Sequence, residues 1–122
     1  MDTQTMAARP LEFILSEANG NYSRDAITVL SGQNLAAGTV LGKVTASGKF
    51  KAATASGSDG GQTAVAVLAY AVDASAGDAA GVAITRVAEV NADLLVFGAT
   101  IDDGTKEAAA ITQLAAVGII AR

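Results

Sequence analysis

Apolar positions along this chain fall into short runs separated by glycine-rich turns, the pattern of a small β-rich domain. Near the start, Leu11, Phe13 and Leu15 alternate with Glu12, Ile14 and Ser16, and the run ends at Asn19-Gly20-Asn21. Ala26 to Leu30 (AITVL) predicts a strand, preceded by Ser23-Arg24-Asp25 and followed by Ser31-Gly32-Gln33-Asn34. Thr39 to Thr45 and Lys49 to Thr54 are two further runs, and Ala46-Ser47-Gly48 between them is a hairpin signal. The segment Ala55 to Gln62 holds Gly57, Asp59, Gly60 and Gly61, which predicts a mobile, exposed loop. From Thr63 to Val72 the chain is apolar almost throughout, as a strand buried on both faces would be. Asp73 ends that run, and Ala74 to Asp78 is turn-like. Val82, Ile84 and Arg86 then alternate with Ala83, Thr85 and Val87 in another strand, while Leu94 to Phe97 fits a strand or a buried connection.

One helix is predicted, over Thr105 to Ala116. Asp102 and Asp103 favour its N-terminal dipole, Asp103 or Thr105 is placed to cap it, and Gly118 supplies the stop. Ala108, Ile111 and Ala115, with Leu114 beside them, form the expected inward stripe. Ile119 and Ile120 are expected to return to the sheet as a last strand. The expected fold is therefore mainly β: a small single-domain antiparallel barrel or sandwich-like core with one short C-terminal helix and an extended N-terminal arm.

The N-terminal run has two readings. It is either a first strand of the domain or an arm that pairs with a sheet edge on another protein, where backbone hydrogen bonds supply affinity. The Asn19-Gly20-Asn21 break favours the arm, giving an arm over residues 1–20 and a domain over 21–122 whose own strands begin after Asn21. The candidate contact residues are then Leu11, Phe13, Ile14 and Leu15.

Composition changes this picture in one respect. The chain has 122 residues, enough for one core, and is 51% hydrophobic. Much of that is alanine, and the aromatics are only Phe13, Phe50, Phe97, Tyr22 and Tyr70. Small side chains bury little apolar area, at about 25 cal/mol per Å², so association is the natural way to add burial. The net charge of −4 and the scattered basic residues argue against nucleic acid as a partner. No apolar run reaches the ~18 residues of a membrane span. Met1 to Thr5 lacks the basic and apolar regions of a signal peptide, so synthesis in the cytoplasm is expected.

Candidate chemistry is sparse. There is no His and no Cys, which removes the Ser-His-Asp triad, the Cys nucleophile and the commonest zinc sites. Gly38 to Val44 resembles a phosphate loop but has three residues between its glycines and Val after the Lys. Asp102-Asp103-Gly104 lacks calcium-loop spacing, and helix capping accounts for it better. A biotinyl or lipoyl carrier would present Lys49 at the hairpin, but its flanks do not match a modification motif. Nothing places paired glycosidase-type carboxylates in one cleft. No enzyme activity and no cofactor are expected.

The ordered series Leu35-Ala36-Ala37-Gly38-Thr39-Val40-Leu41-Gly42, a hairpin, Gly48-Lys49-Phe50, the loop around Asp59-Gly60, a small-apolar strand and Val72-Asp73 resembles the lambda-type head decoration proteins of tailed bacteriophages. The likeness continues through Ala88-Glu89-Val90-Asn91 and Leu114 to Ile119. The resemblance implies a capsid cement protein on the outer surface of the virion. It would bind the major capsid protein of an expanded head as a homotrimer, with no nucleic acid or membrane partner. The arm residues would then make the capsid contact. The other reading is a trimeric module binding a glycan or receptor from a particle, with Tyr22 and Tyr70 as its aromatic platform.

Overall fold

The computed structural model describes residues 13–18, 20 and 22–122. Ten strands and one α-helix follow in the order β1 (Ile14–Glu17), β2 (Arg24–Val29), β3 (Asn34–Leu35), β4 (Val40–Lys43), β5 (Phe50–Ala52), β6 (Ala64–Leu68), β7 (Val72–Asp73), β8 (Ala79–Ile84), β9 (Ala88–Val90), α1 (Gly104–Ala116) and β10 (Ile119–Ala121). A single 3-10 turn, Ala92–Leu94, follows β9.

Five strands close into a barrel in the order β2-β5-β4-β6-β8. The β2–β8 ladder is its longest wall, running in register from Arg24 opposite Ile84 to Val29 opposite Ala79. Closure between β2 and β5 is narrow: Val29 faces Phe50, and the Leu30 N–H donates to the Phe50 carbonyl at 2.8 Å. The hairpin expected around Ala46-Ser47-Gly48 is the β4–β5 pair.

β6 is buried on both faces, as its apolar run predicts, because two cores meet across it. Inside the barrel lie Ile27, Val29, Leu41, Phe50, Ala66, Leu68 and Ala83. Outside it, Val40, Ala64, Val67 and Ile84 pack against Phe13, Val90, Ala110, Leu114 and Ile119 from the second layer. A bulge resolves the parity: Leu41 pairs with Ala66 but Gly42 with Ala64, so Val65 is an extra residue. The expected strand is shorter than its apolar run, since the chain bends at Ala69–Tyr70 before β7 pairs with β3.

The second layer is α1 and a three-stranded sheet in the order β1-β9-β10. Asp103 caps α1, its carboxylate accepting from the Lys106 N–H at 2.8 Å. The buried helix residues are Ala110 and Leu114, whereas Ala108 and Ala115 are exposed, so the inward face differs from the expected stripe. The reason is polar. Gln113 has to reach inward, where its side-chain oxygen accepts from the Ala64 N–H at 2.8 Å.

The domain's strands begin before Asn21, which corrects the expected boundary. β1 pairs with β9, Ile14 facing Val90 and Glu17 facing Ala88, and Phe13 is 1% exposed within the outer core. Ser23 locks the return from β1 into β2. Buried itself, it accepts from the Ala18 N–H and donates to the Val87 carbonyl at 2.7 Å.

Candidate interaction surface

The four residues singled out at the N-terminus have different fates. Phe13 is enclosed in the outer core and Ile14 is half-buried against it. Neither side chain is free at the surface. Leu15 is 52% exposed on β1, and Leu11 lies outside the described residues. A bulge sets this arrangement: the register passes from Ile14 opposite Val90 to Ser16 opposite Glu89, leaving Leu15 as the extra residue.

The sheet β1-β9-β10 has one packed face and one open face. Ala88, Val90 and Ile119 turn inward, so the alternation of a strand sends Glu89 and Ile120 outward. Ile120 lies opposite Glu89 from the β10 side and Ser16 opposite it from the β1 side. The open face thus carries Leu15, Glu89 and Ile120, and the Glu89 carboxylate is paired with Arg122 at 2.9 Å. Val87, just before β9, is exposed as well. Pattern reasoning reached Leu15 but missed Ile120 and Val87. The adjacent Ile119 and Ile120 were a usable signal, since a strand buries only alternate residues against one layer.

The outer wall of the barrel along β2 and β8 is of another kind. Ala26, Thr28, Ala80 and Val82 face out there, all small. Its charges are paired: Arg24 forms a fork with Glu17, Arg86 meets Asp25, and Lys49 meets Asp78. Arg86, followed by Thr85, holds the Asp25 carboxyl below the usual aspartate range. The Glu17 hydrogen bond raises the Arg24 guanidinium further. Tyr22 and Tyr70 are exposed at this end of β2, where Arg86 lies over the Tyr22 ring and Tyr70 stands beside Arg24. The open cleft between Tyr70, Arg24, Asp25, Ala26 and Val82 measures about 350 Å³.

The loop at 55–62 is exposed as far as Asp59 and then docks onto the β4–β5 hairpin. The Asp59 carbonyl accepts from Thr45 N–H at 2.8 Å, and its carboxylate meets Lys51 at 2.7 Å and the Gly61 N–H at 2.9 Å. Those two donors, Lys51 first, lower the Asp59 pKa. Gly61 is buried against Gly42 so closely that a Cβ on Gly42 would collide with the Gly61 backbone. The first half of the expected free loop is exposed, with the Ala55 N–H donating to the Thr100 hydroxyl at 3.0 Å, and the second half is docked.

No group of three or more His, Cys, Asp or Glu side chains converges among the described residues. A small cavity of about 70 Å³ lies beneath the start of α1, between Ile101, Lys106, Ala110 and Gln113. That volume has room for a water or two and not for a substrate.

A family model described as bacteriophage lambda head decoration protein D matches residues 3–119, spanning every element from β1 to α1. No curated protein matches the chain.

Proposed function

This chain belongs to the bacteriophage lambda head decoration protein family, and from that membership we propose that it attaches as trimers to the outer surface of an expanded phage head and stabilises it. The family is structural and not enzymatic, and its members are found on the phage capsid. The observation that carries the reading is the extent of the match, residues 3–119, which covers both cores and β1.

Stabilisation would follow from mass action. A protein that binds the closed lattice and not its ruptured state adds its binding free energy to the lattice. Three linked copies raise the effective concentration of each contact, so modest single contacts give firm attachment. Among the residues proposed for the contact, Leu15 has its side chain at the surface, and Leu11 belongs to the segment leading into β1. Phe13 and Ile14 contribute differently, by holding β1 in its sheet. A strand-like contact by the segment would offset its ordering cost of roughly 1–2 kcal/mol per residue with backbone hydrogen bonds.

The test is sedimentation of the purified protein with expanded and with unexpanded heads, followed by cross-linking of the bound copies. The reading expects binding to expanded heads, cross-linked trimers, and heads that withstand more heat or chelator than bare ones. Binding to neither form, or bound copies that cross-link only as monomers, would contradict it.

A further inference from the structure

We propose that the open edge of β2 is a peptide-binding site, which takes an extended segment of another protein with an acidic residue at its centre. The site belongs to the barrel alone and does not depend on head attachment.

The barrel closes unevenly. β2 pairs with β8 without a break from Arg24 to Val29, but it meets β5 at a single position, Val29 opposite Phe50. Along an antiparallel ladder, alternate residues turn their backbone groups toward the partner strand and away from it. The Ser23 carbonyl accepts from the Thr85 N–H, so the odd-numbered residues of β2 face β8. The even-numbered ones face the other way, as Leu30 does when its N–H donates to the Phe50 carbonyl at 2.8 Å. Arg24 and Ala26 therefore point their N–H and C=O groups into the gap. Neither has a backbone partner there among the described residues.

An open cleft of about 600 Å³ lies along this edge, with Asp25, Ala26, Ile27, Thr28, Lys43 and Phe50 on its walls. Ala26 and Thr28 are exposed and small, so neither bars a strand from lying beside β2. Residues 24–27 span about 13 Å at roughly 3.3 Å per residue, the length of a short added strand. A row of backbone donors and acceptors at this spacing is matched by another polypeptide strand, and open sheet edges are where such strands add.

Charge selects among such strands. Lys43 pairs with Phe50 across β4 and β5, so it stands on the same side of the cleft as Phe50 and Ile27. Its ammonium lies 5.8 Å from the centre of the Phe50 ring and has no carboxylate partner among the described residues. The neighbouring charges are already matched, Asp25 by Arg86 and Lys49 by Asp78. Lys43 is thus the charge left for a ligand, and a carboxylate answers it.

The probe is a labelled, end-blocked pentapeptide, Thr-Val-Glu-Val-Thr, titrated into the full chain and followed by fluorescence anisotropy. Saturable binding is expected. It should be about tenfold weaker for the same peptide N-methylated at every amide, which loses the edge hydrogen bonds and keeps the side chains. Replacing the peptide's Glu by Lys should weaken binding, and Lys43→Gln should cost about two- to fivefold, the range of an exposed ion pair. Ala26→Pro removes the N–H aimed into the gap. Proline is tolerated on an edge strand, so this variant should keep its melting temperature and lose the peptide. No saturable binding to the unaltered protein, or equal binding of the methylated peptide, would overturn the proposal whether or not the proline variant folds. Tighter binding by Lys43→Gln would mean that this lysine guards the edge, and would overturn the choice of an acidic ligand. Binding seen only after removal of residues 1–12 would make the chain's own N-terminal segment the occupant and overturn the proposal of another protein.

Discussion

The barrel and the three-stranded sheet solve the same packing problem with different consequences. The barrel draws its five strands from residues 24–84 and closes them on one another, with β2 meeting β5 only where Val29 faces Phe50. Its uncovered wall shows Ala26, Thr28, Ala80 and Val82, beside the Arg86–Asp25 and Lys49–Asp78 pairs. The sheet instead gathers residues 14–17, 88–90 and 119–121, keeps two edges, and covers only one face. Its other face bears Leu15 and Ile120, with the strained Val87 at its margin. The sheet brings the N-terminal strand and the C-terminal strand into one layer and presents the aliphatic surface.

The largest predicted effect tests whether β1 belongs to that layer. Phe13→Ala should cost about 3–5 kcal/mol, the range for truncating a buried aromatic. Against a total stability of roughly 5–15 kcal/mol that is most of the margin. Removal of residues 1–16 should unfold the protein, since it takes away Phe13 and most of β1. Removal of residues 1–12 should leave it folded but weak in attachment. Denaturant titration with circular dichroism and sedimentation with heads measure the two quantities. A folded 17–122 fragment of full stability would break the comparison.

The next test lies in the barrel. Gly42→Ala should destabilise by about 1–3 kcal/mol, because its Cβ would meet the Gly61 backbone and not a flexible side chain. Head attachment at a temperature where the variant remains folded should be unchanged. A variant as stable as the parent would mean that the loop is not docked there.

The loop itself predicts a smaller, position-dependent effect. A short Gly-Ser insertion after Asp59 separates its carboxylate from the Gly61 N–H and should cost about 1–2 kcal/mol, the value of one or two hydrogen bonds. The same insertion after Ser56, in the exposed half, should cost little, since lengthening a loop adds little closure entropy. Equal costs at both positions would remove the distinction between the free and docked halves.

The pattern of apolar residues made much of the fold legible. It showed the β4–β5 hairpin, β2, the doubly buried β6 and the capped helix, because each depends on local periodicity or turn chemistry. Three things were not legible. The place of Phe13 depends on partners some 75 to 100 residues away, Val90 and Leu114, and no local feature distinguishes such a strand from an arm. The inward face of α1 is hidden by alanines on all sides and is set by the bond from Gln113 to Ala64. The conformation of Val87 opposes its own residue type, so the sequence argued against it. The alternation found the exposed Leu15, while the exposure of Val87 and Ile120 needed the register of the sheet.

The smallest expected effect is on pH. Asp59 is held below the ordinary aspartate value by Lys51 and the Gly61 N–H, and Asp25 by Arg86 and Thr85. A depressed carboxyl stabilises the fold above its unfolded pKa, about 3.9, and loses that contribution as pH falls through the folded value. The docked loop and the start of β2 should therefore loosen only below about pH 4. Both carboxylates are solvent-exposed, so the change is modest. Hydrogen exchange at the Gly61 amide between pH 5 and pH 3, corrected for intrinsic rate, reads it. Protection that grew on acidification would contradict the assignment.

The most direct test of the account is the orientation of the protein on the head. Electron cryomicroscopy of expanded heads incubated with this protein should show β1 turned toward the shell, with Leu15 in contact. The β4–β5 hairpin and the exposed half of the loop should stay clear of it. Density that places the β2–β8 wall against the shell, with the open sheet face in solvent, would contradict the account.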